Sequence, residues 1–145
     1  MTHKLRLFIL ILLGFLCSLS SQGYPEEIEA PSAPQEQKDL TLARAVMCEG
    51  IEEYIPQNPG IVFSTTIGKI LCFTAFDPVP EKTVVYHNWY RNDELITKVK
   101  LTLKPPRWST FSSIQLREAD KGPWRLEIVD QKDRLHKTLR FSITD

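Results

Sequence analysis

Short apolar stretches that alternate with polar residues are the feature that most constrains the fold of this chain. The alternation begins near Thr41 and is clearest near the carboxyl end, where Leu135, Leu139, Phe141 and Ile143 share one register. A period of two residues is that of a β-strand with one face against the core and the other in water. The intervening register is predicted to be solvated: His136, Thr138, Arg140 and Ser142.

The same alternation recurs between residues that favour turns. It is visible from Leu95 to Leu103 and from Trp124 to Ile128, with proline, glycine, asparagine or aspartate between the stretches. Seven or eight short strands at this spacing predict an all-β domain, an immunoglobulin-like two-sheet β-sandwich of antiparallel strands, with a small β-barrel as the alternative. A helical turn is predicted at Glu49–Tyr54. The remaining predicted strands are Leu42–Cys48, Ile61–Thr66, Lys69–Phe76, Val84–Tyr90 and Trp108–Leu116.

Residues 1–20 have the pattern of a secretory signal peptide. Two positive residues precede the apolar run Leu7–Leu16, and small residues follow it. The run is shorter than the roughly 20 apolar residues that span a bilayer. Cleavage after Ser20, or alternatively after Gly23, is therefore favoured over a membrane anchor through residues 5–19. We expect an exported protein, periplasmic or extracellular, that meets the membrane only if this segment is uncleaved.

Residues 21–39 are predicted to be an acidic, proline-rich, disordered linker, because they hold too few large apolar side chains to form a core. Residues 40–145 then form the single globular domain. The whole chain carries 18 basic and 18 acidic side chains. A formal net charge of zero excludes nucleic-acid binding through bulk positive charge, so no nucleic-acid partner is expected. Lys98, Lys100 and Lys104 form a basic strip that is typical of a solvated strand protected from edge pairing.

Cys48 and Cys72 remain after removal of the signal segment, and an even pair in an exported domain favours a disulfide. The competing interpretation is that both are buried as small hydrophobic residues, since Cys72 lies inside the apolar run Ile70–Phe76. The cysteines have none of the spacings of a zinc site or a redox motif, so no metal and no cofactor are expected.

Two of the three tryptophans lie in apolar registers. Trp89 and Trp124 are therefore predicted to be structural core residues. His87 shares its register with Trp89, which favours a hydrogen-bonded structural histidine and leaves ligand contact as the alternative. The sequence shows no catalytic motif, so no catalytic residue is predicted.

Trp108 differs from the other tryptophans because it follows two prolines and Arg107 and precedes a polar string. We predict that His87, Arg107, Trp108 and Ser112 converge into a ligand-binding site. Together they would offer a stacking surface, a cation and several hydrogen-bond donors, which suits a glycan, a carboxylate or a peptide.

Several short motifs occur in a fixed order along residues 40–145. They are Met47-Cys-Glu-Gly-Ile51, Pro56, Phe63-Ser64, Lys69 with Cys72-Phe-Thr74, His87-Asn-Trp-Tyr90, Arg107-Trp-Ser-Thr-Phe-Ser-Ser113 and Gly122-Pro-Trp124. In this combination the chain resembles the bacterial domain of unknown function 2914 family. Ser109, where a second arginine is common, and Phe111, where tryptophan is common, depart from the family's pattern, which implies a reduced positive or aromatic surface around Arg107. The family has no established activity, so the resemblance implies a bacterial envelope domain and no reaction.

We therefore expect an exported, non-catalytic β-sandwich module that binds a cell-envelope component, whether glycan, peptide or protein. A protein–protein interaction domain that pairs through an exposed sheet edge is the alternative. A hydrolase that uses His87, with Arg107 as partner, is the least favoured of the three.

Overall fold

The computed structural model describes residues 39–145 of the chain. The predicted signal peptide and all of the predicted linker except Asp39 lie outside these residues. Within the described part, no helix has the length and apolarity needed to cross a membrane.

The described residues form two packed β-sheets and a small hairpin, which confirms the predicted immunoglobulin-like β-sandwich. The three-stranded sheet has the order β1-β5-β8, and the five-stranded sheet has the order β4-β10-β9-β6-β7. Neighbouring strands are antiparallel except for β4, which runs parallel to β10. The strands are β1 Leu42–Cys48, β2 Gly50–Glu52, β3 Ile55–Gln57, β4 Val62–Ser64, β5 Lys69–Phe76, β6 Thr83–Arg91, β7 Glu94–Leu103, β8 Trp108–Gln115, β9 Gly122–Asp130 and β10 Leu135–Thr144.

The main core lies between the two sheets and is formed by alternate side chains of each strand. Trp89 at its centre is fully buried, and Trp124 stacks on Phe141 with ring centres 6.1 Å apart. Phe141 also meets Trp89 edge-on. Aromatic side chains bury large apolar areas and favour such stacked and edge-on geometries, so these three rings hold β6, β9 and β10 together.

A second, smaller apolar cluster covers the opposite face of the three-stranded sheet. Cys48, Leu71 and Phe73 are buried there, and Ile51 of the hairpin β2–β3 packs against them. The predicted helical turn at Glu49–Tyr54 is therefore wrong. Glu52 pairs with Ile55, and the chain reverses between them to form a hairpin that covers this cluster.

The predicted disulfide is not formed, because the two cysteines point to opposite faces of one sheet. Met47 pairs with Cys72, and Cys48 pairs with Leu71. Since successive side chains of a strand alternate between faces, Cys72 enters the main core while Cys48 enters the smaller cluster. Both are free, buried thiols, as the competing interpretation proposed.

Register shifts change the face of residues at the ends of β7 and β10. The pairing of β6 with β7 shifts between Trp89 and Tyr90, and the pairing of β10 with β9 shifts between Leu135 and Lys137. A β-bulge moves the residues beyond it to the other face of the sheet. Leu95 and Leu135, which the alternation placed in the core, are consequently exposed.

The bulge in β10 also corrects the prediction that His136 is solvated. Its side chain is only 9% exposed, and its ring meets the ring of Phe76 edge-on. Its Nε2 atom lies 3.4 Å from a carboxylate oxygen of Asp130. One residue inserted into the strand therefore turns a histidine of the polar register inward.

Candidate functional site

The structure brings two of the four predicted site residues into contact inside the core. His87 of β6 is fully buried, and its Nδ1 atom lies 2.7 Å from Oγ of Ser112 on β8. The same hydroxyl accepts the indole N–H of Trp89 at 3.1 Å. On the other side of the ring, Nε2 lies 3.3 Å from Oγ1 of Thr74, a fully buried residue of β5.

The donors in this network determine the tautomer of His87. An indole nitrogen only donates and a peptide carbonyl only accepts. Trp89 therefore donates to Ser112, and Thr74 donates to the carbonyl of Thr110 at 3.4 Å. Nε2 of His87 must then donate to Thr74, while Nδ1 accepts from Ser112. The result is one continuous chain of hydrogen bonds that joins the two sheets through a neutral imidazole.

Burial lowers the pKa of His87 to about 4, which keeps the ring neutral. Charging the ring would cost desolvation energy and would also reverse the donor role at Nδ1. Neither ring nitrogen faces solvent, so His87 and Ser112 serve in the described structure as a polar link between the sheets.

The other two predicted site residues lie at the border of the core: Arg107 is exposed, and Trp108 is half-buried and packs against the main core. Arg107 and Trp108 line a groove of about 450 Å³ at one end of the three-stranded sheet. Its remaining lining is largely small or aromatic: Ala43, Tyr54, Ala75, Phe76, Asp77 and Ser109. The four predicted site residues are thus divided between an internal network and a surface groove.

Backbone hydrogen bonds connect three chain segments beside the groove, which contain Thr41, Asp77 and Pro106. The amide of Asp77 donates to the carbonyl of Thr41 at 3.0 Å, and the amide of Thr41 donates to Pro78 at 3.2 Å. The amide of Val79 donates to the carbonyl of Pro106 at 2.7 Å, directly before Arg107. These backbone contacts restrict movement of the segments that carry Asp77 and Arg107.

Tyr54 is a groove residue that the sequence analysis missed. It is 65% exposed at the tip of the hairpin β2–β3, where Glu53 and Tyr54 have φ values of 47° and 62°. A two-residue hairpin loop with two positive φ angles favours asparagine and glycine, because other side chains are strained there. A large exposed aromatic residue with a positive φ angle is strained, and strained backbone of this kind is concentrated at functional sites. The glutamate–tyrosine pair gave no hairpin signal in the sequence.

Two departures from the family pattern lie on the same strand as Trp108. Ser109 lines the groove, and Phe111 is 46% exposed but does not line it. Phe111 pairs with Phe73 across the strands, on the face that carries the smaller apolar cluster. Strand β8 therefore carries an exposed phenylalanine and a half-buried tryptophan, of which only Trp108 belongs to the groove.

Comparison with known proteins supports the resemblance found in the sequence. The model of a family described as "Protein of unknown function (DUF2914)" matches residues 82–143, which extend from just before β6 to within β10. Arg107, Trp108 and Ser112 fall within the match, whereas Tyr54 and the strands before β6 fall outside it.

A search of solved structures finds an immunoglobulin-like protein from Pseudomonas aeruginosa. It shares 14% sequence identity with this chain at a TM-score of 0.51, and the alignment covers 75% of this chain and 99% of that one. At this identity the likeness shows the fold alone. No curated protein matches the chain.

Proposed function

We propose that this protein is a non-catalytic binding module of the bacterial cell envelope and that its ligand is a carboxylate-bearing glycan of the cell wall. The observation that most supports this proposal is that Tyr54 and Trp108 line one groove together with the guanidinium of Arg107. Tyr54 lies in a loop conformation that tyrosine does not favour.

The chemistry of the groove supports a sugar ligand. The indole and the phenol offer flat apolar surfaces with a polar tip, and such rings pack well on the carbon-bound hydrogens of a sugar ring. Ala75 and Ser109 are small, which leaves room between the larger side chains. Arg107 has five N–H donors in a planar fork that matches a carboxylate, and Asp77 accepts hydrogen bonds from hydroxyl groups.

The internal location of His87 supports a module without hydrolase activity. A general base must come within hydrogen-bond distance of the proton that it abstracts. Both ring nitrogens of His87 already contact protein hydroxyl groups, and the side chain has no exposed surface. Export rests on the signal-like residues 1–20, and the acidic segment that follows them is the proposed tether of the domain.

The test is co-sedimentation of the purified protein with isolated cell-wall sacculi. We expect saturable pelleting of the wild type and about a tenfold or greater loss of affinity for Trp108→Ala, because one stacked aromatic contributes about 1.4 kcal/mol or more. Arg107→Ala should weaken pelleting more than Arg107→Lys, which keeps the charge but loses the planar fork.

Phe111→Ala is the matched control, because it removes an exposed aromatic of the same strand that does not line the groove. Equal loss of pelleting for Phe111→Ala and Trp108→Ala would refute the groove as the binding site. Absence of pelleting by the folded wild type would refute the cell-wall ligand.

Pairing through a sheet edge is the second candidate. β7 is an edge strand of the five-stranded sheet, and exposed Leu95 and Ile96 lie near its start. Addition of a partner strand there would place these residues in an interface. This candidate predicts a complex or dimer that Leu95→Lys disrupts and that Trp108→Ala leaves intact, as measured by analytical ultracentrifugation.

A further inference from the structure

The outward face of the five-stranded sheet concentrates positive charge although the whole chain is neutral. Residues of four neighbouring strands form this surface, which we call the basic face. Its side chains alternate with buried core residues such as Trp89, Leu126 and Phe141, so they point away from the other sheet. The basic face is defined by Tyr86, Asn88, Lys98, Lys100, Arg125 and Arg140.

Aromatic rings hold two of these cations against the sheet. The ammonium nitrogen of Lys98 lies 4.2 Å from the centre of the Tyr86 ring, and the guanidinium carbon of Arg125 lies 4.0 Å from the centre of the Tyr90 ring. A cation over an aromatic face is attracted by the ring. The two charges are therefore positioned before any ligand arrives, which reduces the entropy lost on binding.

Two arginines face each other directly across the strands. Arg125 of β9 is the register partner of Arg140 of β10, and like charges in this position destabilise a sheet. Glu127 and Asp93 pair with Arg125. Among residues 39–145, no carboxylate lies within ion-pair distance of Arg140. A small cavity of about 130 Å³ is lined by both arginines, by Tyr90 and by the Asp93 that pairs with Arg125, so a further anion bound there would pair with Arg140.

Asn88 at the centre of the face supplies an independent indication of a ligand. Only 8% of this residue is exposed, and its side-chain oxygen is buried without a hydrogen-bond partner in the described structure. Lys98 and Glu127 flank it across the neighbouring strands. A buried polar atom without a partner is costly, so it needs a donor from water or from a bound group. A carbonyl oxygen needs a donor such as a sugar hydroxyl, which simple carboxylate or phosphate chains lack.

From these features we propose that the basic face is a second binding surface, distinct from the groove, and that it binds a linear polysaccharide bearing carboxylate groups. The carboxylates would lie against Lys98, Lys100 and Arg140. A sugar hydroxyl would enter between Lys98 and Glu127 and donate to the oxygen of Asn88.

The test is equilibrium binding of the full chain to alginate oligomers, which are linear polymers of carboxylated sugars. Dextran, polyglutamate and double-stranded DNA of matched length are the comparison polymers. We expect saturable binding to alginate, weaker binding to polyglutamate and DNA, and none to dextran. Binding should weaken as salt concentration rises, because the contacts are electrostatic. Failure to bind alginate, or equal affinity for polyglutamate or DNA, would overturn the proposal.

Variants that remove positive charges show which surface of the protein binds alginate. Arg140→Gln is expected to weaken alginate binding by about tenfold, as is the double variant Lys98→Gln with Lys100→Gln. Lys69→Gln with Lys132→Gln removes the same charge from other parts of the surface and should leave affinity unchanged. An equal effect of both double variants would show that binding follows net charge alone and would reject the basic face.

Asn88→Leu tests the proposed contact with a sugar hydroxyl without changing the basic side chains. It should weaken binding to alginate but not to polyglutamate, and the folded protein should be at least as stable as the wild type. Unchanged alginate binding would refute the role of Asn88. Trp108→Ala should leave alginate binding intact, so failure of the groove proposal and failure of this one are distinguishable.

Discussion

The hydroxyl of Ser112 lies 2.7 Å from Nδ1 of His87, and this contact links the two sheets of the sandwich through their centre. Ser112 also accepts the indole N–H of Trp89. One small side chain therefore satisfies two larger buried polar groups.

Ser112→Ala should lower the free energy of unfolding by about 2–3 kcal/mol. The change leaves Nδ1 of His87 and the indole N–H of Trp89 buried without partners, and each unsatisfied group costs about 1–3 kcal/mol. Urea denaturation measures the loss. Ser109→Ala on the opposite face of β8 is the control and should change stability by less than about 0.5 kcal/mol. Similar losses in both variants would contradict a special role for Ser112.

Stability should fall as the pH drops from about 6.5 towards 4. The pKa of His87 is lowered to about 4 by burial, whereas an unfolded histidine titrates near 6.5. Between these values the unfolded chain binds the proton and the folded chain does not, so acid favours unfolding by up to about 3 kcal/mol. The stability is fully present above the unfolded pKa and is lost as the pH falls through this window.

Thermal unfolding of the wild type and His87→Gln across this pH range measures the effect. The variant should lose most of the slope between pH 6.5 and 4. Protonation of Asp120 and Asp130 affects stability at a lower pH than protonation of His87 does. Burial raises the pKa of each carboxyl, but hydrogen bonds and nearby arginines outweigh it and hold the pKa below its ordinary value. An identical pH profile in wild type and variant would exclude His87 as the cause.

Cys48 and Cys72 should be free and unreactive in the folded protein. Burial raises the pKa of both thiols, which suppresses the reactive thiolate. We expect alkylation at these positions only after unfolding, and no change in thermal stability on addition of a reducing agent. Peptide mapping under non-reducing conditions checks the outcome, and a peptide that joins Cys48 to Cys72 would contradict the observed register.

Glu53→Asn should raise the free energy of unfolding by about 1 kcal/mol, because asparagine tolerates a positive φ better than glutamate does. Tyr54→Gly should also relieve strain at the next position. The two variants should differ in binding to sacculi. Only Tyr54→Gly removes a groove side chain, so only this variant should pellet less with sacculi. Urea denaturation and co-sedimentation together measure the difference. Equal pelleting by both variants would remove Tyr54 from the proposed site.

Strand positions and buried faces were largely predictable, because alternation depends on local sequence. β1 and β5 have the predicted bounds, and Trp89 and Trp124 are buried in the core. Errors occurred at β-bulges, where one extra residue turns His136 inward and Leu135 outward. The hairpin β2–β3 was missed because glutamate and tyrosine occupy a turn that normally carries asparagine and glycine.

The candidate site was only half predictable. Arg107 and Trp108 were recognised as unusual residue types, and they do line a groove. Tyr54 belongs to the same groove but lies more than 50 residues earlier in the chain. His87 and Ser112 were predicted to bind a ligand, but they contact each other inside the protein because they share a register with core residues.

The sequence by itself determined where strands form and which side chains of each strand share a face, since a period of two residues is a local property of an extended chain. Tertiary structure alone decided which strands pair and in which register. Pairing of β5 with both β1 and β8 turns Cys48 and Cys72 to opposite faces and brings Ser112 to His87. Alternation carries no information about the partner strand, and a shift of one residue reverses every face, so these contacts depend on packing of the whole sandwich.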